Sequence, residues 1–372
     1  MTSAHFHDLI VKRVTPEACG AVVVTLGVEE ALTDLFHFKP GQFLTLRANV
    51  DGQSLRRNYS ICSSVQRYAK MHEIDIGIKP VTGGLFSNWA ATQLKAGDRL
   101  DCMPPDGRFT PAATHPGAKP DGAAAPHRVG FAAGSGITPV LSIVTSTLEG
   151  EPDSRFTLVY GNQRVGSIMF NEVLQDLKDK YPTRLSLVHV LSRQSQEADL
   201  FNGRLDAGKV GALLAHLIPA QHITEAFVCG PAAMMDDTTQ ALREAGLRKE
   251  QVHTERFFAG ATAAPTQPAR AQTGASHASG EIQLQVVLDG KTHSMTMQAQ
   301  DKVLDVALAA GLDLPYACRG GVCCTCRARV LEGEVAMDKN FTLEQWEMDK
   351  GFVLTCQARP LTGRVLLSYD ER

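Results

Sequence analysis

The chain has 372 residues, 44% of them hydrophobic and 21% charged, the proportions of an ordinary globular protein. That length suits two or three domains, each able to bury its own core. A net charge of −3 gives no sign of a nucleic-acid or anionic-membrane partner, and no apolar run is long enough to cross a bilayer.

Met1–Val14 alternates apolar residues with His, Asp, Lys and Arg, unlike the basic-then-apolar layout of a signal peptide. A cytoplasmic location is expected. Residues 1–111 read as an antiparallel β-barrel. Gln42–Ala48 follows a Pro-Gly turn, and Ile74, Ile76 and Ile78 alternate with Asp75, Gly77 and Lys79, the period of a half-buried strand. Within it, Arg57-Asn-Tyr59-Ser60 sits on a strand and Gly83-Gly84-Leu85-Phe86-Ser87 in a turn. These residues could supply the cation, flat aromatic and small donor that a flavin needs, or they could be ordinary strand and turn. Residues 112–126, rich in Ala, Pro and Gly, read as a linker.

Residues 127–258 alternate strand and helix. Arg128–Ala132, Phe156–Tyr160, Leu185–Val190, Ala226–Cys229 and Val252–Glu255 read as buried strands, with helical patterns such as Phe170–Lys180 and Ala232–Ala245 between them. Such alternation implies a parallel sheet covered by helices, with ligands beyond the carboxyl ends of its strands. Gly134-Ser-Gly136-Ile-Thr138-Pro139 follows the first strand, and Thr138 is expected to cap the helix that comes next. The turn suits dinucleotide phosphates, although glycine turns after strands are common for other reasons. Asn162, Ser192-Arg193 and Cys229-Gly230-Pro231 end three further strands. Arg193 could pair with a 2′-phosphate, which would favour NADPH, or be a solvated loop arginine.

Residues 259–280, AGATAAPTQPARAQTGASHASG, have almost no large apolar side chain and read as a flexible linker. Five of nine cysteines fall in residues 281–372, which read as a compact α+β segment. Cys318, Cys323 and Cys326 form C-x4-C-x2-C, and twenty-nine residues separate Cys326 from Cys356. This is the plant-type 2Fe–2S spacing, with a zinc site or a reduced buried cluster of thiols as the alternatives. Gly320 and Gly321 are expected to let the loop curl so that its N–H groups face sulfur. Cys324 is the expected spare.

With these motifs together, and with Glu255-Arg-Phe257, the chain resembles the ferredoxin–NADP reductase superfamily carrying a fused C-terminal ferredoxin of the β-grasp type. Tyr160-Gly-Asn162, Leu177–Pro182, Cys229–Asp237 and Gly351–Gln357 carry a closer resemblance to the reductase-subunit family of phenylacetyl-CoA epoxidases. The resemblance implies an NADPH-dependent oxidoreductase that passes electrons through FAD and a 2Fe–2S cluster to a multicomponent oxygenase of phenylacetate catabolism. It implies that Arg57, Tyr59 and Ser60 hold FAD, with Ser60 near N5, and that Gly84, Leu85, Phe86 and Ser87 take its pyrophosphate. Gly134, Gly136, Thr138, Asn162, Ser192, Arg193, Gly230 and Pro231 then serve the nicotinamide nucleotide. Ser60, Cys229 and Glu255 are the implied catalytic group, and Phe257, or Phe258, shields a flavin face. Ser135 and Asn162 depart from residues common in the superfamily and leave NADPH against NADH open.

Two alternatives stand beside this reading: a reductase for a Rieske-type aromatic dioxygenase, using FAD or FMN, and an electron carrier with a degenerate flavin domain. The oxygenase itself is expected on another chain. The one Glu-x-x-His spacing, Glu250 to His253, precedes a strand and not a helix bundle. The linker suggests that the ferredoxin domain moves between flavin and partner, with Arg319, Arg327 and Arg329 either offered to an acidic partner face or forming a solvated rim.

Overall fold

The computed structural model describes residues 5–112, 125–257 and 281–371. Nearly all of the 112–126 linker and the whole of 259–280, with Phe258, lie outside the described residues, as does the expected motion of the ferredoxin domain. The chain divides into two compact units, one built almost entirely from Phe6–Phe257 and the other from the C-terminal residues after it.

The first unit begins with β1 (His7–Pro16), β2 (Val22–Gly27), β3 (Phe43–Val50), β4 (Gln53–Ser60), α1 (Val65–Met71), β5 (Glu73–Ile78), α2 (Leu85–Thr92) and β6 (Arg99–Cys102). The six strands form one sheet in the order β4-β3-β6-β1-β2-β5, and a bridge between Ile61 and Ile76 joins its two ends. The expected alternation holds on β5: Ile74, Ile76 and Ile78 are buried in the barrel with Leu9, Val24, Leu26 and Leu46. The two helices were not expected. Ser64, whose hydroxyl accepts the Arg67 N–H, starts α1, and Gly84 starts α2.

β7 (His127–Ala133), α3 (Ile137–Gly150), β8 (Arg155–Asn162), α4 (Asn171–Lys180), β9 (Leu185–Leu191), α5 (Ala207–His216), β10 (Glu225–Cys229), α6 (Ala232–Glu244) and β11 (Val252–Glu255) follow. Their strands make a parallel sheet in the order β11-β10-β7-β8-β9. Residues of α3 and α4 fill one face, and residues of α5 and α6 the other. The order reverses at β7, so a switch point lies between β7 and β10. Ala21, Cys62 and Phe109 of the barrel belong to the same apolar cluster as α3, so barrel and sheet share a core. At the amino ends of the strands, Arg128 is fully buried between Glu151 and Glu225, and His253 bonds Glu225. His253 thus has a structural partner on the sheet, as expected of a chance Glu-x-x-His.

The second unit contains β12 (Ile282–Leu288), β13 (Lys291–Met297), α7 (Val303–Ala309), β14 (Arg327–Glu332), β15 (Val335–Met337), α8 (Gln345–Asp349), β16 (Phe352–Leu354), β17 (Ala358–Pro360) and β18 (Arg364–Ser368). Its main sheet runs β13-β12-β18-β14-β16, with β15 and β17 paired separately. α7 supplies Val303, Leu304 and Ala307 to its core, the α+β arrangement expected.

Candidate functional site

Among the described residues, no three metal-binding side chains converge as they would on a single ion. The thiols of the second unit approach in pairs instead. Cys323 hydrogen-bonds Cys318 and so lowers that thiol to about 6, helped by N–H groups of Gly320, Val322 and Cys323 and opposed by burial. Cys326 hydrogen-bonds Cys356 and lowers it likewise, with help from Gln357 and the Gly321 N–H. The donor members, Cys323 and Cys326, are raised by the same bonds and by burial. Cys318 also acts on Cys356 and Cys323 on Cys326, so the four thiols lie close together, and it is their sequence spacing that suits two irons better than one tetrahedral zinc. Cys324 Sγ lies 3.3 Å from the Thr342 hydroxyl.

The left-handed residues of the loop are Arg319 (φ 52°), Gly321 (φ 78°) and Cys324 (φ 57°), and Gly320 is not among them. Gly320 contributes its N–H, 3.3 Å from Cys318 Sγ. A side chain at Gly321 would also meet the Lys339 carbonyl at 2.9 Å. Gln357 was missed as a site residue. Its buried carboxamide donates to the Arg319 carbonyl at 2.9 Å and to Cys356 Sγ at 3.4 Å, tying the distant cysteine to the loop. A polar residue directly after an isolated cysteine was the available signal. The three arginines already have partners in their own unit: Arg319 with Asp305, Arg327 with fully buried Glu347, and Arg329 with Glu371.

In the first unit, β4 ends with Tyr59 and Ser60. The Tyr59 ring is held by Phe86 of α2, with centroids 5.6 Å apart. Arg57 is exposed, donating to its neighbour's carbonyl at 2.7 Å. The turn before α2 is fixed by Asn88, which donates to the Val81 and Gly84 carbonyls, and by Ser87, which accepts the Val81 N–H. Leu85, Phe86 and Ser87 then open the helix, where first-turn N–H groups suit a pyrophosphate.

The carboxyl ends of the parallel strands gather the nucleotide candidates on one rim. Gly134 (φ 55°) begins the turn after β7, and Tyr160 donates to its carbonyl at 2.9 Å. Gly136 abuts β10 so closely that a Cβ there would lie 2.2 Å from the Cys229 carbonyl oxygen. Thr138 does not cap α3. The helix starts at Ile137, and the Thr138 hydroxyl donates back to the Ser135 carbonyl at 3.0 Å. Asn162, Ser192 and Arg193 end β8 and β9, the Ser192 N–H bonding the Asn162 carbonyl at 3.0 Å. Arg193 and Pro231 are exposed, and Gly230 is half-buried. Phe257 keeps 41% of its surface exposed, so its ring can cover a flat ligand.

The implied catalytic group does meet where barrel and sheet join: Ser60 donates to Glu255 at 3.0 Å. Burial, with Glu255 adding to it, pushes the Cys229 thiol up, so it stays protonated and is no nucleophile. Burial also pushes the Glu255 carboxyl from its ordinary 4.5 to about 8, against the Ser60 bond. Between those values the folded chain keeps a proton that the unfolded chain has released. This contribution to stability is therefore largest in acid and is lost as pH rises from about 4.5 to about 8. Thermal midpoints of the flavin-free protein should fall across that range, and Glu255→Gln should remove that part of the fall.

Three domain families match this chain: the oxidoreductase FAD-binding domain over residues 21–110, the oxidoreductase NAD-binding domain over 131–240, and the 2Fe–2S iron–sulfur cluster binding domain over 286–361. One of the subunits of 1,2-phenylacetyl-CoA epoxidase from Escherichia coli K12 is 42% identical, covering 99% of this chain and 98% of its own. The ferredoxin reductase component of 3-ketosteroid-9-alpha-monooxygenase from Rhodococcus rhodochrous is 34% identical over 97% and 96%. Phthalate dioxygenase reductase shares the fold at 20% identity and TM-score 0.57, covering 98% of both chains. An intact type IV self-sufficient cytochrome P450 monooxygenase shares it at 22% and 0.65, covering 97% of this chain, which spans 41% of that larger one. With FAD-binding, NAD-binding and 2Fe–2S domains in that order, the chain belongs to the pyridine-nucleotide-dependent reductase components of oxygenase systems, of the ferredoxin–NADP reductase type with a C-terminal ferredoxin domain.

Proposed function

We propose that this chain is the NADPH-dependent reductase subunit of a phenylacetyl-CoA epoxidase, acting in the cytoplasm on an oxygenase carried by other chains. The supporting observation is full-length identity of 42% to a component of that epoxidase, in a chain that matches the 2Fe–2S cluster binding domain over residues 286–361. Bound flavin supplies the conversion between the two electrons of a hydride and the single electrons a cluster accepts. Arg57, Tyr59 and the start of α2 hold the flavin, and Ser60 with Glu255 keeps a proton in a hydrogen bond at its edge. Gly134 and Gly136 admit the nucleotide phosphates, Thr138 lies between the two ligands, and Cys229 presents a neutral thiol. Cys318, Cys323, Cys326 and Cys356 hold the cluster. No helix is long and apolar enough to cross a membrane among the described residues.

Arg193, exposed on the rim, takes the 2′-phosphate that separates NADPH from NADH. Losing a charge-assisted contact of this kind costs about 1.5–3 kcal/mol, so Arg193→Ala should raise the NADPH Michaelis constant by about tenfold or more and leave NADH little changed. Equal losses for both would assign Arg193 a structural role. The partner is tested by NADPH-driven epoxidation of phenylacetyl-CoA with purified oxygenase components of the epoxidase. Turnover there, and none with a Rieske dioxygenase, is expected, and the reverse would transfer the chain to the other system.

A further inference from the structure

We propose that Gly77, on the outer face of the flavin barrel, is a positioning residue that sets how closely the nicotinamide turn approaches the flavin. This rests on the reductase reading above. Gly77 carries no left-handed backbone requirement, so glycine is needed there for space alone. The flanking Ile76 and Ile78 point into the barrel, and alternation turns position 77 outward. There a Cβ would lie 2.6 Å from Thr138 Cγ2 and 3.1 Å from Phe170 Cζ.

Neither neighbour can give way cheaply. Thr138 is 2% exposed, and its hydroxyl is committed to the Ser135 carbonyl at 3.0 Å, so turning its methyl aside breaks that bond. Phe170 is 4% exposed and held in the left-handed region (φ 60°) ahead of α4. α3 cannot slide back as a whole either. Positions four apart along it face the barrel: Ser142 Oγ donates to the Ser63 carbonyl at 2.7 Å, and Ser146 Oγ accepts the Val65 N–H at 3.1 Å. Gly150 ends the row against the Gln66 side chain, which also donates to the Ser146 carbonyl. With these bonds holding the middle of the helix, a side chain at position 77 lifts its first turn. The turn Gly134–Gly136 precedes that first turn directly, so lifting it moves the nicotinamide away from the flavin. Misplacement of reacting groups by about 1 Å costs about a hundredfold in rate.

The test is Gly77→Ala in the full-length protein loaded with FAD and cluster. Flavin reduction by NADPH is followed in anaerobic stopped flow, and nucleotide affinity and FAD content are measured separately. The expected result is a rate lower by about ten- to a hundredfold with affinity and FAD content unchanged. Thr138→Ser, which removes the obstructing methyl and keeps the hydroxyl, should recover part of the loss in the Gly77→Ala background. An unaffected rate, a parallel loss of nucleotide affinity or FAD, or no recovery in the double variant would overturn the proposal. A parent protein that does not oxidise a reduced nicotinamide would instead overturn the reductase reading.

Discussion

Serine in place of Cys318, Cys323, Cys326 or Cys356 removes the cluster, whereas Cys324→Ser keeps it. The four thiols form the pairs 318/323 and 326/356, and Cys324 is occupied with Thr342. In the proposed ligand set each iron would take two of the four sulfurs, so every ligand would be needed. Reduction of a one-electron protein acceptor should fall by at least about a hundredfold, about 2.7 kcal/mol in barrier, in each ligand variant. Ferricyanide reduction, for which the flavin suffices, should persist. The checks are bound iron, visible absorbance and both acceptor rates. Cluster loss in Cys324→Ser with retention in Cys323→Ser would reassign the ligand set.

Gly136→Ala should lower nicotinamide-dependent activity by about a hundredfold while leaving FAD and cluster bound. The added Cβ would stand 2.2 Å from the Cys229 carbonyl oxygen and 2.9 Å from the Gly230 nitrogen. Both are backbone atoms of the neighbouring turn, so relief requires the β7 and β10 turns to part at the switch point. Displacement of this size costs about a hundredfold in rate. Gly83→Ala serves as a contrast. Nothing crowds a Cβ there, and its cost comes only from a left-handed backbone (φ 74°). Stopped-flow flavin reduction with iron and FAD content measures the difference.

Much of this architecture was legible from residue pattern. The alternation of Ile74, Ile76 and Ile78 marked β5, and five apolar runs marked the parallel sheet, because burial on one or both faces leaves a direct imprint on sequence. The 2Fe–2S domain was legible because a cluster imposes its spacing on the cysteines that would hold it. What escaped depended on tertiary partners. α1 and α2 are short insertions between barrel strands, where a strand-rich context hid their starts at Ser64 and Gly84. Thr138 has the composition of a cap, yet Gly134–Gly136 forms its own helical turn first and places Thr138 inside α3. Arg319, Arg327 and Arg329 crowd the cluster loop in sequence. Their carboxylate partners, 14, 20 and 42 positions away, could be seen only in the fold. Gln357 likewise acquires a role only once Arg319 is beside it.

One chain is expected to carry a nicotinamide's electrons through FAD into a 2Fe–2S centre. An anaerobic titration of the full-length protein with NADPH, followed by visible absorbance and by electron paramagnetic resonance, tests it directly. The predicted result is bleaching of flavin bands together with appearance of the signal of a reduced 2Fe–2S cluster, the latter missing from Cys326→Ser. Iron–sulfur absorbance without flavin, or flavin bleaching in a protein whose intact cluster stays oxidised throughout, would contradict it.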